Sequence, residues 1–226
     1  MNDPRPLVVA NLKANKTWGE MSLWLDKVAK ISATFTGTII VCPSTPFLAA
    51  ANEWLKAQGE RSTSWRIKLG SQDVSQFEQG AYTGETAASQ IADLCQYAII
   101  GHSERRTNFH ETDQILTQKV IMAKKAMIEP IFCVQKDDDS IPQGVSIVAY
   151  EPTFAIGTGE ADSPQNVQKV ATLIKKRGPY TVLYGGSVSP QNIKSYLLPN
   201  LVSGVLVGAT NTQEVQNFIA IIQAAT

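Results

Sequence analysis

The sequence predicts an α/β fold of eight strand–helix units, closed into a barrel or laid out as one large doubly wound sheet. Three observations lead there. Short β-rich runs alternate with amphipathic stretches from one end of the 226 residues to the other. Most of those runs are nearly continuous in apolar residues, the pattern of parallel strands buried on both faces. No low-complexity or linker-like stretch divides them, so a single domain over residues 1–226 is expected, slightly short for an eightfold barrel.

The first run is 7–10, and behind it Met21, Leu25, Val28 and Ala29 recur at helical spacing. Runs at 38–42, 67–70 and 97–101 follow as strands two to four. Ile115, Lys119, Val120, Ala123 and Met127 then share a helical face before strand five at 131–134. Strands six, seven and eight are read at 146–150, 181–184 and 204–207. Ser163-Pro164 and Ser189-Pro190 each place proline at a first helical position, and Asn211-Thr212 ahead of Gln213-Glu214 reads as a helix start. One connection breaks the rhythm. Residues 135–145 hold Pro142 and Gly144 in a crossover too short for a full helix.

Composition excludes several functions. Lys plus Arg equals Asp plus Glu at 20 each, so no polyanion partner such as nucleic acid is indicated. No apolar run reaches the roughly 18 residues of a membrane span, and the N-terminus lacks a signal-peptide pattern. Cys42, Cys95 and Cys133 are scattered and odd in number. They fit neither a disulfide framework nor a metal site, and a reducing cytoplasm is expected.

In a barrel, the chemistry gathers at the C-terminal ends of the strands. Those ends give Asn11 and Lys13 after the first, and His102, Ser103 and Glu104 after the fourth. Glu151 follows the sixth, Gly185-Gly186-Ser187 the seventh and Gly208 the eighth. Singly, each has a plain structural reading. Lys13 could be a solvated lysine, Glu151 before Pro152 a strand terminus, Gly185-Gly186 a tight turn, and His102 a structural histidine. Their shared position at strand ends is what scattered surface polars would not obey. A carboxylate base and a neutral hydrogen-bond donor flanking a carbonyl move a proton between adjacent carbons through an enediolate. An ammonium stabilises the developing oxyanion, and Gly-rich turns after the last two strands offer N–H groups to a phosphate. The residues thus point to a proton-transferring enzyme for a small phosphorylated carbonyl compound.

Six segments carry a closer likeness: Asn11-Leu-Lys-Ala-Asn15, Gly80-Ala-Tyr-Thr-Gly-Glu85, Ile100-Gly-His-Ser-Glu-Arg-Arg106, Ala149-Tyr-Glu-Pro-Thr-Phe-Ala-Ile-Gly-Thr-Gly159, Leu183-Tyr-Gly-Gly-Ser-Val188 and Gly204-Val-Leu-Val-Gly208. In order and nearly from end to end, they resemble the signature segments of the triosephosphate isomerase family. The resemblance implies a closed (β/α)8 barrel, in which the short crossover of this chain would leave the helix after the fifth strand absent or vestigial. It implies isomerisation of dihydroxyacetone phosphate and glyceraldehyde 3-phosphate without a cofactor or metal. Glu151 would be the base, His102 the neutral electrophile, Lys13 the cation facing the substrate oxygens, and Asn11 its orienting neighbour. Glu104 would support the proton handling. Asn11 and Lys13 would also contact substrate, and the phosphate would bind near Gly157, Ser187, Gly208 and Ala209. The family is well known for a base glutamate paired with a neutral histidine and for a water-excluding lid, which the resemblance would place at 152–162. The resemblance further implies a homodimer. The polar loop from Gln72 to Glu85 would insert into the neighbouring subunit, with Thr83 reaching its Asn11 and His102.

The chain departs from the family in four places. Phe154 stands where the lid hinge usually has Trp, and Lys136 where the fifth loop usually has its Glu partner, so both ends of one hydrogen bond are absent. Gly208-Ala209 replaces a Gly-Gly pair, and Cys133 and Glu151 lie only 18 positions apart (151 − 133), about half the usual spacing. Two other functions compete. A further phosphate-binding barrel enzyme, such as an aldolase, would want a desolvated Schiff-base lysine deep in the barrel. A silent barrel kept as a binding protein would have let Lys13, His102 and Glu151 decay. Over the shortened crossover, Phe132, Val134, Val148 and Tyr150 should face outward and need cover, from flanking helices near 122–127 and 167–173 or from a second subunit.

Overall fold

The computed structural model describes residues 5–59, 66–155, 161–208 and 210–226. Eight parallel strands pair in chain order, and the last closes onto the first. They are β1 (Leu7–Asn11), β2 (Thr38–Cys42), β3 (Ile67–Ser71), β4 (Tyr97–Ile100), β5 (Glu129–Val134), β6 (Ile147–Tyr150), β7 (Thr181–Tyr184) and β8 (Gly204–Val207). The closed barrel is the first of the two arrangements that the sequence allowed.

Alternation along the strands divides the core in two. Val9, Ile40, Cys42, Ile99, Ile131, Cys133, Ile147, Ala149, Leu183 and Leu206 fill the barrel interior. Their neighbours in sequence, among them Val8, Val41, Ala98, Phe132, Val148 and Val205, belong to the outer layer shared with the helices. Both faces are buried, which is why the strands read as continuous apolar runs rather than alternating ones.

The helices are α1 (Trp18–Ser32), α2 (Leu48–Gly59), α3 (Ala88–Ile91), α4 (Ser103–Asn108), α5 (Asp113–Lys125), α6 (Pro164–Lys176), α7 (Ile193–Tyr196), α8 (Thr210–Gln213) and α9 (Val215–Ala224). α1 starts at a capping box: the Glu20 N–H donates to Thr17 Oγ1, and the Thr17 N–H donates to the Glu20 carboxylate. It buries Met21, Trp24, Leu25, Val28 and Ala29, with the Trp24 ring stacked on Phe218 of α9 at 5.2 Å. α6 begins as its sequence predicts, with Ser163 capping and Pro164 in the first turn.

Several boundaries differ from the sequence reading. β5 starts at Glu129, two residues early, because Pro130 is tolerated near the beginning of a strand. β4 ends at Ile100, since Gly101 turns at φ +77°. α5 ends at Lys125, so Met127 is off the helix, at φ +60° and 90% exposed. The Ser189-Pro190 signal opens a turn, and helix α7 begins only at Ile193. The last segment breaks in two: α8 contains Asn211 and Thr212, and α9 starts afresh at Val215.

No helix lies in residues 135–146. The crossover is clasped at both sides instead. Asp139 Oδ2 accepts the N–H groups of Gln135 (2.6 Å) and Lys136 (3.1 Å). The Arg177 guanidinium, at the end of α6, donates to the carbonyls of Asp137 (2.5 Å) and Asp139 (2.7 Å). Ile141 and Val145 pack into the outer layer. Beneath them Phe132, Val134, Val148 and Tyr150 are all buried, in one cluster with Leu116, Val120 and Ala123 of α5 and Val167, Ala171 and Ile174 of α6. Flanking helices therefore cover the gap, as anticipated. Met127 takes no part in it.

Candidate active site

The strand ends converge on one mouth. His102 follows β4 and is the N-cap of α4, where its Nδ1 accepts the Glu104 N–H at 3.2 Å. A nitrogen that accepts carries no proton, so in this tautomer the ring hydrogen sits on Nε2. That Nε2 lies 3.3 Å from Glu151 Oε1. Glu151, directly after β6, is 1% exposed and accepts the Ser103 N–H on Oε2 at 3.1 Å. Base candidate and donor candidate thus face one space. Gly185 permits this placement: a Cβ there would meet the Glu151 Cγ at 2.8 Å. Cys133 lies under the carboxylate. Burial, then the neighbouring Glu151, pushes its thiol well up, which keeps it protonated.

Lys13 reaches the same mouth from β1. Its backbone stands at φ +52°, a left-handed conformation uncommon for a lysine, so the surroundings must hold it. Asn11, buried at the end of β1, accepts the Lys13 N–H on its Oδ1 at 3.0 Å. The Lys13 carbonyl accepts from Ser44 Oγ and Gln72 Nε2, both at 2.9 Å. The Lys13 ammonium pairs with the Glu104 carboxylate, at a partly exposed position. Gly208 closes in from β8, where an added Cβ would meet Lys13 Cε at 3.2 Å. Thr212 Oγ1 donates to the Asn11 carbonyl at 3.1 Å, tying α8 to the first loop.

Asn11, Lys13, His102, Glu104, Glu151 and Gly208 are therefore brought together. Ser187 lies after β7, its carbonyl accepting from Asn192 Nδ2 at 3.0 Å. Gly157 and Ala209 lie outside the described residues, as does the middle of the 152–162 segment. Thr83 is exposed on the 72–85 loop. Phe154 is 56% exposed and Lys136 is exposed too. Sequence reasoning missed Ser44, Gln72, Thr212 and Asp162. The first three act through main-chain carbonyls, which no residue pattern reveals; Asp162 is a carboxylate just before the Ser163-Pro164 helix signal, and its burial could not be read.

Comparisons with known proteins point to one family. A profile for the family described as triosephosphate isomerase matches residues 6–146 and 139–225. The two stretches meet within the helix-less crossover, where this chain is short. The triosephosphate isomerase of Nitrosococcus oceani is 35% identical over 255 aligned positions, covering 97% of this chain and 98% of the relative. That of Thermus thermophilus is 32% identical, covering 98% and 99%. A crystal structure of triosephosphate isomerase from Bartonella henselae superposes with a TM-score of 0.82 at 27% identity, covering 97% and 98%.

Proposed function

Since the chain belongs to the triosephosphate isomerase family and interconverts dihydroxyacetone phosphate and D-glyceraldehyde 3-phosphate in glycolysis, we propose how its own residues divide that work. Glu151 is the base that carries the proton between the two carbons. His102, through Nε2–H, polarises the carbonyl and stabilises the enediolate oxygen. Lys13 supplies positive charge to the same oxygens, exchanging part of its pairing with Glu104 for substrate, and Asn11 holds the strained Lys13 backbone. The phosphate takes backbone N–H groups near Ser187 and Gly208, with Gly157 and Ala209 completing the set.

The observation that carries this reading is the 3.3 Å approach of His102 Nε2 to Glu151 Oε1, with Nδ1 occupied as an acceptor. Glu151→Gln keeps the shape and removes the base. It should lower kcat by about two to four orders of magnitude, the usual contribution of a general base, while binding of a substrate analogue changes little. A variant retaining a tenth of wild-type kcat would assign the base elsewhere. Borohydride trapping with substrate should label nothing, whereas an aldolase would be trapped.

The working unit is a homodimer formed through the 72–85 loop, in which Thr83 reaches the partner's site. The support is the loop itself: Phe77 and Tyr82 stack at 4.1 Å between centroids, both exposed in the single chain. Light scattering at micromolar concentration should give twice the monomer mass, and a fully active monomer would overturn it. Among the described residues no helix is long and apolar enough to cross a membrane. The three buried thiols favour a reducing cytoplasm as the compartment.

A further inference from the structure

We propose that Asp162 is a positioning residue for the base, holding the end of β6 through the hydroxyl of Tyr150. The reading rests on the isomerase function and concerns a carboxylate to which that function assigns no role. Asp162 is buried, 6% exposed, in a short stretch that is otherwise loop. Its Oδ2 accepts Tyr150 Oη–H at 3.2 Å and Asn166 Nδ2–H at 2.7 Å, and its Oδ1 accepts the Ser163 N–H at 2.8 Å. Its main chain is held as well. The Asp162 N–H donates to Tyr184 Oη at 2.9 Å, and Tyr196 Oη–H donates to the Asp162 carbonyl at 2.6 Å. Three tyrosines from β6, β7 and α7 thus meet on one residue, and the rings of Tyr184 and Tyr196 stack at 4.2 Å.

What this knot fastens is the base. Tyr150 is the last residue of β6, and Glu151 is the next. The ladder bonds of the two peptides are short: Glu151 N–H to the Val134 carbonyl and Gly185 N–H to the Tyr150 carbonyl, each 2.7 Å. Those bonds fix the main chain up to the last peptide of β6, beyond which Tyr150 and Glu151 stand on opposite faces, so a small rotation at that peptide would swing one against the other. The Tyr150–Asp162 contact stops that rotation from the outer face. It also ties the residue before Glu151 to one 12 positions on, just ahead of α6. A misplacement of about 1 Å at a reacting group costs on the order of a hundredfold in rate, so a rotational brake on the base has a measurable worth.

The plainer role is local capping, since Asp162 precedes the N-cap of α6 and its Oδ1 holds the Ser163 N–H. Three variants separate the two. Tyr150→Phe removes one hydroxyl and leaves the cap intact. Asp162→Asn keeps an oxygen for Tyr150 but faces the Ser163 N–H with an amide donor. Asp162→Ala removes both. With D-glyceraldehyde 3-phosphate as substrate, Tyr150→Phe and Asp162→Ala should each lower kcat about tenfold with KM within about twofold. Asp162→Asn should recover most of that kcat, and the Tyr150→Phe, Asp162→Ala double variant should be no slower than the slower single. Capping alone predicts the reverse: Asp162→Asn as damaging as Asp162→Ala, and Tyr150→Phe silent.

Wild-type kcat in Tyr150→Phe, or losses that multiply in the double variant, would overturn the proposal. If Asp162→Ala proves unfolded by circular dichroism, the contrast between Tyr150→Phe and Asp162→Asn still decides. Wild-type turnover and its loss in Glu151→Gln, read in the same assay, test the isomerase reading separately. Normal values there with a silent Tyr150→Phe would remove only the role of Asp162, whereas an inactive wild type would remove both.

Discussion

The outer faces of β4 and β5 are neighbours, and the chain covers them by opposite means. After β4 come two helices, α4 and α5, the second burying Leu116, Lys119, Val120 and Ala123. After β5 comes a stretch of twelve residues, 135–146, without a helix. Yet Phe132, Val134, Val148 and Tyr150 are as well covered as anything over β4. A barrel thus requires apolar cover on its outward side chains; a helix at every position is only the usual way to supply it. Four such side chains exposed together would forgo about 1.5–3 kcal/mol each, a sum comparable with the 5–15 kcal/mol of net stability typical of a domain. A helix would also have satisfied its own main chain. Here Asp139 and Arg177 do so, with two N–H groups and two carbonyls between them.

The comparison is sharpest at Phe132. It lies where the two flanks meet, with the guanidinium of Arg106 in α4 5.8 Å from its ring centre. If cover is equal on both flanks, Phe132→Ala should cost about 3–5 kcal/mol, and Leu116→Ala on the helical side about 2–5 kcal/mol. Urea midpoints at constant m-value measure both. A loss below about 1 kcal/mol for Phe132 alone would mean that the helix-less flank is loosely packed.

Asp139→Ala comes next in size. It strands the N–H groups of Gln135 and Lys136 in the tightest part of the crossover, worth about 1–3 kcal/mol if they stay dry and less if water reaches them. Amide hydrogen exchange should then accelerate across 135–146 while α5 keeps its protection. Unchanged exchange there would show that the clasp is ornamental and that Ile141 and Val145 hold the segment alone.

The same contrast explains what the sequence made legible. The eight strands and the mouth residues could be read because burial on both faces leaves continuous apolar runs, and those of β1, β4 and β6 give way within two residues to Asn11, His102 and Glu151. The helix-less crossover could be read from Pro142 and Gly144 in too few residues. The start of β5 was hidden by Pro130, normally a breaker, and the split between α8 and α9 by Glu214, a helix former that makes no side-chain cap bond and so carries no start signal. Gln72, Ser44 and Asp162 act on partners 12 to 59 positions away. No local pattern encodes such a distance.

The smallest expected effect belongs to the helical flank, which holds an ionic cluster with Lys119 and Glu111 buried at its centre. Lys119 Nζ lies 2.7 and 2.5 Å from the two oxygens of Asp73 and 2.5 Å from Glu111 Oε1. Arg105 reaches Asp73 at 2.9 Å and Glu111 at 2.6 Å. Burial raises the Asp73 carboxyl from 3.8 to about 6, against the pull of Lys119. A folded-state value above the unfolded one means that the native protein holds this proton more tightly. Its contribution to stability therefore grows as pH falls through about 6, is complete below about 3.8, and is lost as pH rises back through that window. Asp73→Asn lacks the titration, and groups outside this cluster cancel between the two proteins. From about pH 7.5 to about pH 5, the stability of the wild type relative to Asp73→Asn should improve by about 1 kcal/mol, one pH unit of full proton linkage being worth about 1.4 kcal/mol. Urea titrations at both pH values measure the gap. A gap that stays constant, or moves toward the variant, would mean that Lys119 and Arg105 outweigh burial and that Asp73 remains ionised throughout.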